Sequence, residues 1–181
     1  MLRQSHPWKR ELRRLRTQLV KLASGPVDED MADYKFERPL QYSAIVVRKL
    51  IESWKVTDAT RMRRYRVTTY PTRPGRSDTL MRLSMAGDID EEFYLDRPER
   101  GSMDAWDIVC ELLHSGFINW EVNRRQQISG IYVASIRNHK ARLVRISTKV
   151  YLDLLDRIIS DHVERKRVGF DDQRRLKVKL A

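Results

Sequence analysis

Residues 102–147 decide the fold of this 181-residue chain, and they read SMDAWDIVCELLHSGFINWEVNRRQQISGIYVASIRNHKARLVRIS. The stretch opens with apolar residues at helical spacing, which predicts a helix over about 103–115 with one buried side. Ser102 is suited to cap this helix, and Gly116 is suited to end it. The stretch therefore begins with a short acidic helix.

The remainder of the stretch has the pattern of β-strands. Ile118, Trp120 and Val122 alternate with polar residues, as in a strand that is covered on one face. Two further apolar runs, 128–136 and 141–147, follow at short spacing. The sequence thus predicts a three-stranded antiparallel meander at 117–147.

The N-terminal segment 1–25 has the pattern of a basic amphipathic helix. Its stripe of large apolar residues steps by four and three, and consists of Trp8, Leu12, Leu15, Leu19 and Leu22. Gly25 and Pro26 end the helix. We expect the stripe to dock on the core. The alternatives are that residues 8–22 bind a protein partner or form a homo-oligomer, or that the basic face contacts nucleic acid.

The whole chain is predicted to form a single α+β domain with about four helices and a small antiparallel sheet. After the first helix, residues 26–39 have no period and are acidic, so we interpret them as a linker. The core domain then covers 40–166, with helices from about Leu40 to Lys55 and over about 150–166. The basic tail, 167–181, is either a late edge strand or disordered.

Arginine and tyrosine are interleaved in the segment 61–76, and residues 64–83 have the pattern of a hairpin or an extended loop. Guanidinium groups bind phosphate, and aromatic rings stack on bases. The segment therefore predicts a contact with nucleic acid, although a solvated arginine-rich loop has the same composition.

Charge limits the classes of partner. The formal net charge is +11 and the isoelectric point is near 10.0. Residues 1–25, 61–83 and 122–150 each hold seven basic side chains and at most one acidic one, whereas 84–121 hold two basic and ten acidic. Such blocks form a patterned surface that suits a polyanion.

Cysteine and apolar content limit the compartment. Cys110 is the only cysteine, so an intrachain disulfide is excluded and a reducing, cytoplasmic location is predicted. The longest apolar run is four residues, so no membrane contact is expected. The acidic residues of 86–101 lack the spacing of a calcium-binding loop, and no metal or cofactor is predicted.

The basic tip of the second hairpin, 137–145, is the other predicted contact with a nucleic acid backbone. The helix at 103–115 is too acidic to enter a DNA groove. The full set of predicted nucleic-acid-binding residues is Arg61, Arg63, Arg64, Arg66, Arg73, Arg76, Arg137, His139, Lys140, Arg142 and Arg145.

Catalytic candidates are few. Cys110 and His114 are neighbours on one helix and have the residue types of a thiol nucleophile with its base, but apolar neighbours favour an inert thiol. Arg157 and His162 have the Arg-x4-His spacing of the HEPN superfamily. Members of this superfamily are helical proteins, and they include ribonuclease toxins. With 26 arginines in the chain, such a spacing arises readily by chance.

A second resemblance covers residues 42–55 and 106–147. The segments YSAIVVRKLIES and DIVCELLHS, followed by GIYVAS, resemble a group of uncharacterised bacterial proteins. This resemblance implies a bacterial origin and a role for Arg48, Lys49 and His114. In that group the cysteine is followed by asparagine, whereas Glu111 follows it here.

The sequence therefore favours a non-enzymatic protein that binds the backbone of RNA or DNA or associates with ribonucleoproteins. One alternative is a small ribonuclease or toxin-like enzyme that uses His114 or His162. Another is a structural subunit of a protein complex.

Overall fold

The computed structural model describes residues 4–26, 32–73, 88–135, 142–164, 166–170 and 176–180, and in this part the chain has the predicted α+β class. It forms six helices and seven strands there, which is more than the predicted count. The helices are α1 (His6–Ser24), α2 (Ala32–Glu52), α3 (Asp58–Arg61), α4 (Ile89–Glu92), α5 (Ala105–Leu113) and α6 (Thr148–Ser160). The strands are β1 (Tyr65–Pro71), β2 (Glu99–Met103), β3 (Ser115–Val122), β4 (Ile128–Ser135), β5 (Arg142–Ser147), β6 (Lys166–Phe170) and β7 (Leu176–Leu180).

Five strands form one antiparallel sheet in the order β2-β1-β5-β4-β3. The predicted meander is confirmed as β3-β4-β5. The first part of the segment 64–83, predicted as a hairpin or an extended loop, forms β1, which pairs with β5 on one side and with β2 on the other. The sequence did not predict β2, and residues 74–83 of that segment lie outside the described part of the chain.

Helices α1, α2, α5 and α6 enclose the main core against one face of the sheet. The α1 stripe packs there, with Leu12, Leu15 and Leu19 at most 2% exposed and Leu22 partly buried. The docking prediction for this stripe is confirmed. The stripe packs within the chain, and the alternative that residues 8–22 bind a protein partner or form a homo-oligomer stays a prediction.

Helix α2 begins at Ala32, earlier than the predicted Leu40, so half of the expected linker is helical. Pro39 lies inside the helix, where proline usually interrupts the hydrogen-bond ladder. The buried Phe36 explains the longer helix, since its ring packs edge-on against Trp120 with the centroids 4.9 Å apart. Tertiary packing thus overrides the local signal of the proline.

Two helix ends also differ from the prediction. The cap of α5 is Asp104, whose side chain accepts a hydrogen bond from the backbone nitrogen of Asp107 at 2.8 Å, whereas Ser102 belongs to β2. Helix α6 ends at Ser160 rather than near 166. The Asp161 carboxylate next to it accepts hydrogen bonds from the backbone nitrogen and hydroxyl of Thr57, at 2.6 and 2.8 Å. The chain after α6 is therefore tied to the start of α3.

The C-terminal tail forms a two-stranded ribbon, β6–β7, that is separate from the main sheet. The tail was predicted to be either a late edge strand or disordered. Residues 166–170 and 176–180 form strands. The predicted hairpin tip at 137–140 lies outside the described residues.

Candidate nucleic-acid interface

The main sheet has two faces of different chemistry. One face packs on the helices of the main core and carries Val67, Val144 and Ile146, which are at most 6% exposed. Side chains alternate along a strand, so Arg66, Thr68 and the other intervening residues lie on the opposite side. We call that side the outer face.

A row of polar and aromatic side chains crosses the outer face. Residues directly opposite one another on paired strands share a face, and the register aligns one residue from each strand. The central row consists of Arg100, Thr68, Arg145, Tyr132 and Asn119. The two residues at its ends are exposed, and the three between them are partly buried. Two guanidinium groups and one phenol ring thus lie in one row.

Arg145 is held in place by an ion pair. Its Nε donates to Glu121 Oε1 at 2.9 Å, and its Nη2 contacts the other carboxylate oxygen. Ser129 also donates its hydroxyl to Glu121 Oε2 at 2.7 Å. Burial alone would raise the pKa of Glu121, but the hydrogen bonds from Arg145 and Ser129 outweigh it and lower that pKa.

Gly130 makes room for this ion pair. A Cβ atom at this position would lie 2.7 Å from Glu121 Oε2 and 3.3 Å from Arg145 Nε. Any side chain at this position would therefore require the Glu121 carboxylate to shift. The ion pair between Glu121 of β3 and Arg145 of β5 therefore passes over β4 at Gly130. Tyr132, two residues further along β4, lies opposite Arg145.

Tyr132 is partly buried on the outer face, where it packs against a small apolar cluster that includes Tyr70. Its ring centroid lies 6.1 Å from that of Tyr70, which is buried at the end of the outer face that is covered by Phe93. Burial, and then the neighbouring Tyr70, raise the pKa of Tyr132 to about 12. The phenol is therefore neutral at physiological pH.

The arginines predicted at 61–66 divide into two groups. Arg61 forms an ion pair with Asp58 at 3.3 Å, and Arg64 contacts Asp107 at 3.6 Å and Ser102 Oγ at 2.9 Å. Arg63 and Arg66 are exposed, and neither has an ion pair with another residue in the described ranges. Arg66 lies on the outer face, two residues from Thr68 of the central row.

The other predicted arginines do not all reach this face. Arg142 faces the helices and forms an ion pair with Glu111 of α5 at 3.8 Å. The guanidinium of Arg73 lies 4.5 Å from the ring centroid of Tyr94, and Arg97 lies at the same distance from that ring. The predicted residues Arg76, Arg137, His139 and Lys140 lie outside the described part of the chain.

Two residues of the central row were not identified from the sequence. Tyr132 was assigned to a strand without a role, although its alternation with the buried Ile131 and Val133 is a sign that it faces the other way. Arg100 was missed because β2 was not predicted. Only the register of the folded sheet brings these two residues into line with Arg145.

The catalytic candidates lie elsewhere. His114 is exposed at the end of α5, and its Nε2 is 3.4 Å from Nη1 of Arg48. Arg48 also donates to Glu52 at 2.8 Å. Cys110 is only 3% exposed, which fits the inert-thiol interpretation.

The Arg-x4-His pair has no common site in the fold. Arg157 donates to Asp153 at 2.8 Å, whereas His162 is exposed beyond the end of α6. The five-stranded sheet also differs from the helical fold that the HEPN resemblance implied.

Similarity to known proteins does not indicate a function for the chain, and the described residues show neither a membrane-spanning helix nor a metal site. No family model, curated protein or solved structure matches the chain. Among the described residues, no helix is both long and apolar enough to cross a membrane. Within the same ranges, no three histidine, cysteine, aspartate or glutamate side chains are grouped to hold a metal ion.

Proposed function

We propose that the protein binds nucleic acid and that a single-stranded segment lies on the outer face of the sheet. The observation that carries this proposal is the central row, in which the guanidinium groups of Arg100 and Arg145 flank Thr68 and Arg145 adjoins Tyr132. Proteins that bind single strands combine cations for phosphate with rings on which bases stack.

The side chains of the row have different roles. Arg66 and Arg100 are exposed and have no ion pair with a described acidic residue, so both are available to contact phosphate. Arg145 already donates to Glu121, so it adds only part of its charge to the surface. The ring of Tyr132 is the stacking surface, because every base has a π-face that it accepts.

A single strand suits this face better than a duplex. Bases reach an aromatic ring only when they are unpaired and unstacked. The covered end of the face is acidic, since Asp90 and Glu91 are exposed on α4, which lies next to it. These carboxylates repel phosphate and limit the strand to the central row.

The test compares two double variants that lose the same formal charge. Arg66→Ala with Arg100→Ala removes cations from the outer face, and Arg10→Ala with Arg13→Ala removes exposed cations from α1. Binding of a labelled thymidine oligonucleotide of about 12 residues is followed by fluorescence anisotropy between about 50 and 200 mM salt.

We expect the outer-face variant to weaken binding and to reduce the salt slope by about 2, because each lost phosphate contact reduces it by about 1. The α1 variant should retain the slope. Equal losses in the two variants, or no binding by the wild-type protein at low salt, would contradict the proposal.

A second candidate function, cleavage of RNA, is favoured by the contact between Arg48 and His114. A histidine can accept the proton of a ribose hydroxyl, and an adjacent guanidinium can stabilise the developing charge on phosphate. The check is a His114→Ala variant incubated with end-labelled RNA. Cleavage that is absent in the wild type, or unchanged in the variant, would exclude this function.

A further inference from the structure

Asn119 is exposed where the central row reaches strand β3, at one edge of the main sheet, and it lies directly opposite Tyr132. Side chains that are directly opposite on antiparallel strands have Cβ atoms about 4.5–5.5 Å apart. The Asn119 amide is therefore within reach of a base that stacks on the ring of Tyr132. The ring contacts the face of such a base, whereas the amide can contact its edge.

The Asn119 amide is oriented by its own strand. The backbone nitrogen of Trp120 donates to Asn119 Oδ1 at 2.7 Å. A backbone N–H is a donor, so the atom that faces it has to be the amide oxygen. The amide nitrogen Nδ2 then carries two donor hydrogens, and no residue in the described ranges accepts a hydrogen bond from it. Asn119 thus presents a free donor, while its acceptor is engaged.

The other strong acceptor near the ring is engaged as well. Glu121 lies two residues along β3 on the same face, and its carboxylate oxygens accept hydrogen bonds from Arg145 and Ser129. The next acceptor in the row is the hydroxyl of Thr68, which is two strands from Tyr132 and therefore roughly 10 Å away. The surface that surrounds the ring consequently offers donors to a base.

This arrangement determines which bases fit. An asparagine with both amide atoms free binds adenine through two hydrogen bonds, since its oxygen accepts from the adenine amine and its nitrogen donates to the ring. Asn119 lacks the free acceptor that this mode needs. A base that has a carbonyl oxygen in place of the amine can accept from Nδ2 directly.

We propose that Asn119 selects the base that stacks on Tyr132, and that it favours the keto bases uracil, thymine and guanine over adenine and cytosine. This inference rests on the proposed function, because it concerns the same surface. The carbonyl oxygen O4 of uracil accepts a hydrogen bond from Asn119 Nδ2. The amine of cytosine occupies the same position on the ring, so there a donor faces a donor and the hydrogen bond is lost.

The test uses two matched probes, which are deoxyuridine and deoxycytidine oligonucleotides of about 12 residues. Their bases are equal in size, and they differ at the position where the carbonyl oxygen O4 replaces the amine. Fluorescence anisotropy at neutral pH gives the dissociation constant for each probe. The quantity compared is the ratio of the deoxycytidine value to the deoxyuridine value.

Two variants change the Asn119 side chain in different ways. Asn119→Ala removes the amide. Asn119→Asp keeps an acceptor for the backbone nitrogen of Trp120 and replaces the free donor with a second acceptor. The control is Arg66→Ala with Arg100→Ala, which removes exposed cations from the same face. An unchanged thermal unfolding midpoint establishes that each variant is folded.

We expect a ratio of about 5 for the wild-type protein, which corresponds to one hydrogen bond. The ratio should fall to about 1 in Asn119→Ala. It should fall below about 1 in Asn119→Asp, because a carboxylate accepts from the cytosine amine. The added negative charge of this variant acts equally on both probes, so it does not change the ratio. The arginine control should bind both probes more weakly and keep the wild-type ratio.

A wild-type ratio near 1, or a ratio that neither Asn119 variant changes, would overturn the inference. The proposed function would survive either result as long as both probes bind and the arginine control weakens that binding. Absence of binding to both probes would overturn the inference and the proposed function together.

Discussion

The two faces of the main sheet differ although they are made by the same strands. In β4, Ile131 and Val133 are fully buried against the helices, while Tyr132 between them lies on the outer face beside Arg145. Packing determines the residue types on the first face, because a buried position accepts little else. On the outer face, packing makes this demand only at the cluster of Tyr70, Phe93, Ala134 and Leu143, against which Tyr132 also packs. The arginines outside this cluster are therefore the better guide to function.

The largest expected difference between the faces is in stability. Ile131→Ala should lower the free energy of unfolding by about 2–5 kcal/mol, because it leaves a cavity in the main core. Asn119→Ala, at the exposed end of the central row, should change it by less than about 0.5 kcal/mol. Urea denaturation measures both values, and similar costs for the two variants would contradict the division between the faces.

Binding should respond to the aromatic ring of the outer face. Tyr132→Leu removes the stacking surface and should weaken single-strand binding by about 1–3 kcal/mol. Tyr132→Phe retains the ring and loses only the hydroxyl near Tyr70, so its affinity should stay close to that of the wild type. Anisotropy titrations compare the two variants. If leucine and phenylalanine behave alike, bases do not stack on this ring.

Stability and binding should move in opposite directions in Glu121→Gln. The loss of the carboxylate weakens the contact with Arg145, which should lower stability by up to about 1 kcal/mol for a partly exposed pair. Arg145 then has more of its charge available for phosphate, so affinity for a single strand should rise several-fold. A fall in affinity would show that the ion pair itself is needed for binding.

The smallest expected effect is the pH dependence of the same pair. The pKa of Glu121 is lower in the folded protein than in the unfolded chain, so its contribution to stability is present above the unfolded pKa of about 4.3. That contribution is lost as pH falls through the lowered folded pKa. The stability difference between wild type and Glu121→Gln should therefore shrink on acidification. Urea midpoints from neutral pH to about pH 3 check this, and a difference that grows would contradict it.

Much of the fold could be predicted because its signals are local. An apolar pattern that repeats within a few residues marks most of the predicted elements. These are the α1 stripe, helix α5, the meander β3-β4-β5 and the apolar side of α6. Strand β2 could not be found in this way, since Pro98 and Gly101 interrupt its pattern and pairing with β1 stabilises it. Helix α2 was predicted too short because residues 26–39 are acidic and have no clear apolar period.

The site depends more on the folded structure. Arg66 and Arg145 were expected from charge, but their common face with Arg100 and Tyr132 results from pairing between strands that are distant in sequence. The ion pair of Arg142 with Glu111 is equally non-local. Charge composition therefore indicated a class of partner, and the register of the sheet selected the residues.

Photocrosslinking tests the central claim most directly. The wild-type protein is irradiated with a thymidine oligonucleotide of about 12 residues, and the crosslinked peptides are identified by mass spectrometry. If a single strand lies on the outer face, the crosslinks fall in β1, β4 and β5, with Tyr132 among the modified residues. Crosslinks confined to the basic surface of α1, with none in these strands, would contradict it.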